Sequence, residues 1–600
     1  MNKNQPWYIL PAVSGLILTF MCIAPFLGIM GAEGVYKSII AGVLTAFLFV
    51  FFYSAVCTVM NRLVKTGTER ELKINALIFA VPIAGLFAAV LYFMKGVNFK
   101  AGDFSMLGSI YLPWGGYIKI NTGGYALIVC AGSLFVLMCF ILMYRYIKAL
   151  YSYGNKNIEK KILVSFFIFF AAVTSYVTFA YPPTGDEPHY LLIARSIVSD
   201  FDVDLKNNYE NDASYRDFYP AFLEYENIHN TPGSGGKGLY SLHSIGLPLL
   251  ISPFLFIGGR FAVQFFMNFL AALCVMLLYS LISSSEISGK KSLLFASLFG
   301  AVLPFSVNAS LVLTEIPAAL IVLYCLRNLM HRKGFGILFF AGIAFLPWLH
   351  SKYVILSVIL YIIRYVIIIK EKSFDYKKEI INNITLIVSA VLFFVYYFAI
   401  YAKPANSAVS DIYVSSSFYF IFTLKHSIRA FFGILADRNF GILFYAPVYI
   451  FSVWGLIYSA AQKNIKMLIP ALVAIPYLSL FLFWSDWGGS MTPARQLIPV
   501  IFVFAVYAAY FDYKFSLTDK RIFRAISAYS LILSFILFCM PFLRYGATKD
   551  KIASFMAAHG LNLGWFFPDF HDNITFIHAV FIVLTVVFTA AAVKYAKKGK

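Results

Sequence analysis

Long apolar runs separated by short polar breaks recur along the whole chain. They fall at about residues 7–30, 38–60, 74–94, 124–144, 162–181, 261–283, 292–307, 312–328, 335–349, 353–369, 380–401, 441–460, 468–484, 496–511, 522–543 and 576–593. A helix needs roughly 20 apolar residues to cross the hydrocarbon layer, so this pattern predicts about sixteen spans, several of them short. The expected fold is all-α, a polytopic transmembrane helical bundle. Its longest polar interruption, 182–260, is expected to carry amphipathic helices outside the membrane. The first run is too long for a cleaved signal and reads as a retained helix.

Composition sharpens the picture. The chain has 600 residues, 60% of them hydrophobic and 13% charged. Soluble domains run nearer half apolar and a quarter charged, so a water-soluble enzyme, a disordered tail and a fibrous protein are all excluded. With the N-terminus and every second loop on the cytoplasmic side, most of the 48 Lys and Arg fall there and most of the 28 Asp and Glu fall opposite. This predicts cytoplasmic termini and an extracytoplasmic face for any chemistry. The formal charge of +20 is thus a topology signal and an attraction to anionic lipid. Scattered basic residues give no nucleic-acid-binding module. The seven cysteines lie in apolar runs and read as small buried hydrophobes rather than disulfides or metal ligands.

Four outer segments are long: 95–123, 182–260, 402–440 and 544–575. The second opens with Tyr181-Pro-Pro-Thr-Gly-Asp-Glu-Pro-His-Tyr190. Pro182 and Pro183 end the preceding helix, Gly185 permits a turn, and an amphipathic helix is expected from about Pro188. Asp186 and Glu187 then sit at a helix N-terminus at the membrane surface. One reading is a helix cap. The other is a catalytic or metal-binding carboxylate pair with His189 close by. Asp200, Asp202 and Asp204 resemble the start of a calcium loop but lack its glycine and final glutamate, so they read as a solvated face. Gly233–Gly238 is a flexible hinge and not a P-loop. Leu242–Arg260 reads as a surface-lying or re-entrant segment interrupted by Pro248 and Pro253. Further ionisable groups gather near the same face: Glu315, His350, Lys352, Asp437, Arg438, Asp486 and Arg495. Charges at such depths are costly and mark a joint site. Asn308, Asn383 and Asn573 head glycosylation triplets by pattern only.

Asp186-Glu187-x-His189 at the start of the main outer loop resembles the polytopic GT-C class of membrane glycosyltransferases, closest to the protein O-mannosyltransferase and aminoarabinose transferase branch. Ala194-Arg195-Ser196, Asp202–Leu205, Tyr240–Pro253, Thr314-Glu315-x-Pro317 and the run from Trp487-Gly-Gly to Pro493-Ala-Arg495 are similar to bacterial members. The resemblance covers about 160–510. It implies a catalytic transmembrane core at 156–510, preceded by a four-helix segment at 1–155 and followed by helices at 511–600. It also implies transfer of a monosaccharide from a polyprenyl phosphate to a lipid or cell-surface glycan, with inversion. Asp186 and Glu187 would be the catalytic carboxylates. Lys352, His350, Arg495, Arg195 and His243 would hold the donor phosphate. Asp186, Glu187, His189 and Glu315 would hold a divalent cation (Mg, Mn or Zn), and no nucleotide is needed. The other readings are a flippase or transporter for a lipid-linked glycan, and a surface-polysaccharide polymerase or ligase.

Overall fold

The computed structural model describes residues 122–153, 157–210 and, with short interruptions, 230–401 and 420–543. It also describes 109–111, 117–119, 218, 568–570, 578 and 583. The expected spans at 7–30, 38–60 and 74–94, almost all of 576–593, and Asp486 and Asn573 lie outside the described residues.

Those residues are all-α apart from two three-residue hairpins, Ser109–Tyr111 with Tyr117–Lys119 and Asn230–Pro232 with Leu239–Ser241. The main helices are α1 (Thr122–Tyr153), α2 (Ile158–Ala180), α3 (Glu187–Ser199), α4 (Gly246–Ser283), α5 (Gly289–Ala301), α6 (Glu315–His331) and α7 (Ile337–Leu349). They continue with α8 (Val354–Glu371), α9 (Tyr376–Tyr401), α10 (Leu424–Ala436), α11 (Ile450–Ala461), α12 (Ile465–Leu480), α13 (Ile501–Phe515) and α14 (Arg521–Cys539). Among the described residues, six segments are long and apolar enough to cross a membrane, on α2, α4, α8, α9, α13 and α14. The chain is therefore a membrane-embedded helical protein.

The six fall short of the expected number partly because apolar runs are broken where sequence hydropathy runs on. The runs at 292–307 and 312–328 become α5, a four-residue turn at Phe305–Asn308, and α6. Between them Ser310–Thr314 is buried and non-helical. Backbone groups there cannot reach water, so side chains must satisfy them. The Glu187 carboxylate accepts the Val312 N–H at 2.8 Å, and Gln264 donates to the Ser310 carbonyl at 2.9 Å.

The described chain divides into two compact units. The first comprises residues up to Pro182 with Phe535–Phe542. Within it α1 and α2 cross at Gly132, where an added Cβ would stand 1.9 Å from the Tyr176 ring. The Tyr176 hydroxyl donates to the Cys539 carbonyl at 2.7 Å, and Phe140 packs edge-on against Phe169 and Phe535. Cys139 and Cys539 are buried, as small apolar side chains are.

The second unit, Pro183–Ser534 with Leu543 onward, contains the helices that matter for function. Helices α6, α7 and α8 run up and down against one another. Ion pairs mark both ends: Lys352 to Glu315 at 3.1 Å at one, Arg332 to Glu371 at 2.7 Å at the other. The 17 residues of α6 set the separation at about 26 Å, close to a hydrocarbon thickness. Helix α13 follows Arg495 at the first end and carries Asp512 in its last turn, which pairs with Lys291 at 2.8 Å. Helix α9 turns isoleucine, valine and phenylalanine side chains outward along its length, as a helix against lipid does. Its inner side is tied by Glu379 to Arg364 at 2.8 Å. Asn383 accepts from Tyr361 and donates to Tyr365, and Asn308 is fully buried, so neither triplet presents a free amide to a glycan.

One expectation is revised. Pro248 and Pro253 do not keep Leu242–Arg260 from forming a helix: α4 starts at Gly246, and Pro248 lies in the first turn where a missing N–H costs nothing. The break falls at Gly258 and Gly259 instead, with φ of 60° at Gly259, a value that favours glycine.

Helices α11 and α13 touch backbone to backbone at Gly455, where a Cβ would stand 2.0 Å from the Tyr507 carbonyl oxygen. Gly455→Ala should therefore cost about 1–3 kcal/mol through overpacking. The check is the midpoint of thermal unfolding in detergent, expected to fall against wild type.

Candidate functional site

The site is built from four chain segments of the second unit. Helix α2 ends at Ala180, and Gly185 turns the chain with φ of 59°. Asp186 takes the N-cap position of α3 but makes no side-chain capping bond. Its carboxylate instead accepts from Arg495 Nη1 at 3.0 Å. Arg495 Nε lies 3.4 Å from Glu315 Oε1, at the first residue of α6. Glu315 in turn pairs with Lys352, which also donates to the Gln496 side chain at 2.9 Å. The result is a row of alternating charge: Asp186, Arg495, Glu315, Lys352.

Burial differs along this row. Glu315 is 2% exposed and Lys352 9%, while Asp186 remains 26% exposed. Asp186 is therefore the carboxylate that reaches open space. Partial burial works against its charge, but Arg495, with His243 and His189, outweighs that and holds its carboxyl well below the usual range. The adjoining groups respond to the same field. Burial, then the Asp186 and Glu315 charges, pushes the Tyr190 hydroxyl well up. Burial, then Lys352, pushes the His350 imidazole well down.

The two neighbouring carboxylates divide their roles. Glu187 is fully buried and accepts backbone N–H groups from Val312 and from Thr184, the latter at 3.3 Å. It shapes the segment that delivers Glu315, whereas Asp186 faces the charge row. His189 stacks on His243 at 4.6 Å beside Asp186. His350 accepts the Lys352 N–H at 3.2 Å and so shapes the turn that presents Lys352. Arg195 stands apart: nine residues beyond Asp186 at 1.5 Å per residue place it about 13 Å further along α3.

Sequence reasoning missed Gln496, Tyr190 and Thr314. The Thr314 hydroxyl lies 3.1 Å from that of Tyr353. Gln496 follows Arg495 directly, and its carbonyl accepts from Tyr477 at 3.0 Å. The signal was adjacency to charged residues, which sequence alone does not rank. Of the aspartates at 200–204, Asp200 accepts from the Asn208 side chain at 2.8 Å, and Asp204 binds loop backbone, accepting from Leu239 N–H at 2.8 Å and from Lys206 N–H at 3.0 Å. Arg438 pairs with Asp569 at 3.3 Å rather than with its neighbour Asp437.

The residues expected to hold a divalent ion have other partners in this arrangement. Asp186 and Glu315 are paired with cations, and Glu187 holds backbone amides. Among the described residues no three His, Cys, Asp or Glu side chains come together to hold one.

The depressed carboxyl at Asp186 sets a pH dependence. A group lowered in the folded state adds stability above its unfolded value of 3.8, lost as pH falls below it. The wild-type unfolding midpoint should therefore drop more steeply below about pH 4 than that of Asp186→Asn. Parallel melting curves from pH 6 to pH 3 check this, and parallel acid limbs would contradict it.

No protein-family model matches the chain, and no curated protein matches it.

Proposed function

We propose that this protein is an inverting membrane glycosyltransferase that moves one sugar from a polyprenyl phosphate to a lipid or cell-surface glycan hydroxyl. In this proposal 156–510 is the catalytic core of a bundle of about sixteen spans. Its termini are cytoplasmic and its site faces outward. The observation that carries the reading is the alternating row of Asp186, Arg495, Glu315 and Lys352 at one end of the apolar helices. A lipid phosphate must be met at membrane depth by cations, and a hydroxyl acceptor by a carboxylate.

The row is neutral, so an incoming phosphate changes its pairing. Arg495 and Lys352 turn toward the phosphate oxygens, whose charge grows as the glycosyl bond breaks. Asp186 loses its partner, its carboxyl rises toward the usual range, and it becomes a better base. The acceptor oxygen then bonds to the anomeric carbon. The bond from that carbon to the phosphate oxygen breaks, the electron pair leaves with the polyprenyl phosphate, and the hydroxyl proton passes to Asp186. Tyr190, His189 and His243 line the approach to Asp186 and orient the acceptor.

The test is sugar transfer by purified protein in proteoliposomes supplied with polyprenyl-phosphate sugars. Removing a general base typically costs 10²–10⁴-fold, so Asp186→Asn should lose about that much turnover while still inserting and folding. Unchanged turnover refutes the role of Asp186. Movement of a labelled lipid-linked sugar across the bilayer without covalent transfer would favour a flippase, and long products would favour a polymerase.

A further inference from the structure

A second polar cluster lies at the turn that follows α10. Asp437 there is fully buried. Its Oδ1 accepts the Asn439 N–H at 2.7 Å and the Phe440 N–H at 3.0 Å. Its Oδ2 accepts the Phe570 N–H at 2.6 Å. The turn also needs Gly441, since an added Cβ would stand 2.3 Å from the Asp437 backbone nitrogen. The same Phe440 residue that Asp437 holds by its N–H offers its carbonyl to the Ala494 N–H at 3.1 Å. Ala494 adopts φ of 55°, left-handed and unfavourable for alanine, immediately before Arg495. A strained residue persists only where its surroundings fix it.

The geometry points to Asp437 as a positioning residue: through the Phe440 peptide it fixes the Ala494 backbone, and so aims the Arg495 guanidinium at Asp186 and Glu315. This rests on the reading of Arg495 as the phosphate-holding residue. Asp437 touches no part of the charge row itself. Thr492, which donates to Asn308 at 3.0 Å, and Tyr477, which donates to the Gln496 carbonyl, hold the same segment from other sides. Asp437 therefore sets one restraint among three.

That restraint is sensitive to pH. Burial first, and then the facing Asp569 carboxylate, push the Asp437 carboxyl up to about 7. Arg438 sits beyond Asp569 at 3.3 Å, and Asn439 donates to Asp569 at 3.2 Å. His578 engages the Asp569 carbonyl and Arg429 that of Phe570, so both address backbone. A group raised in the folded state holds its proton where the unfolded chain has lost it. Its contribution to stability is complete below the unfolded value of 3.8 and declines as pH rises toward 7. Above about 7 the ionised carboxyl faces the Asp569 carboxylate inside the same buried turn, so the turn is held less tightly at pH 8 than at pH 6.

The test reads Arg495 directly and needs no catalysis. Purified full-length protein in detergent is treated with phenylglyoxal, and labelling of Arg495 is measured by peptide mass spectrometry relative to Arg332, which pairs with Glu371 at the opposite end. Asp437→Ala should raise the Arg495 to Arg332 labelling ratio several-fold. In wild type that ratio should be higher at pH 8 than at pH 6, and the difference should vanish in Asp437→Asn. An unchanged ratio in both variants, or equal increases at both arginines, would overturn the proposal, because a merely structural aspartate loosens both ends alike. Sugar transfer measured on the same samples separates the two ideas. Absent transfer by wild type counts against the glycosyltransferase reading, whereas the labelling ratios decide the role of Asp437 alone.

Discussion

Taking ionised side chains out of water at the end of an apolar bundle costs several kcal/mol each unless every charge has an opposite neighbour. The row of Asp186, Arg495, Glu315 and Lys352 meets that condition by alternating in sign. Each member comes from a different part of the chain, so the row also fixes how α3, α6, the turn before α8 and the turn before α13 meet. The surrounding features serve it. Glu187 and Gln264 satisfy the buried irregular backbone that brings Glu315 to the end of α6, His350 shapes the turn of Lys352, and Tyr477 holds the carbonyl of Gln496.

A neutral, self-paired cluster would be inert if nothing disturbed it. A phosphate entering such a site is an anion in competition with two resident carboxylates for two cations. Asp186 is the more exposed of those carboxylates, so it yields first. In the proposed reaction donor capture and base activation are then one event.

Much of this was legible in the sequence, and the limits have physical causes. Membrane character followed from hydropathy alone. Pro182, Pro183 and Gly185 marked the turn before α3, because proline and glycine act locally. Asp186, Glu315, Lys352 and Arg495 stood out because charges in apolar surroundings are rare. What the sequence could not distinguish was role. Asp186 and Glu187 are adjacent and chemically alike, yet one faces the charge row and the other the backbone of a segment more than a hundred residues away. That choice depends on the irregular stretch Ser310–Thr314, which hydropathy reads as the edge of a helix. Arg195 shared a motif with the site but not its place, since helical rise carries it along α3. The kink of α4 fell at Gly258 and Gly259 rather than at Pro248, because a proline in the first turn costs no hydrogen bond while a glycine pair permits φ above zero.

The central claim is that a lipid phosphate and the Asp186 carboxylate compete for Arg495. It is tested most directly by the affinity of purified protein for polyprenyl phosphate, measured by titration calorimetry for wild type, Asp186→Asn and Arg495→Gln. The account predicts tighter binding by Asp186→Asn, where the competing anion is gone, and weakened binding by Arg495→Gln. Equal affinity in all three would contradict it.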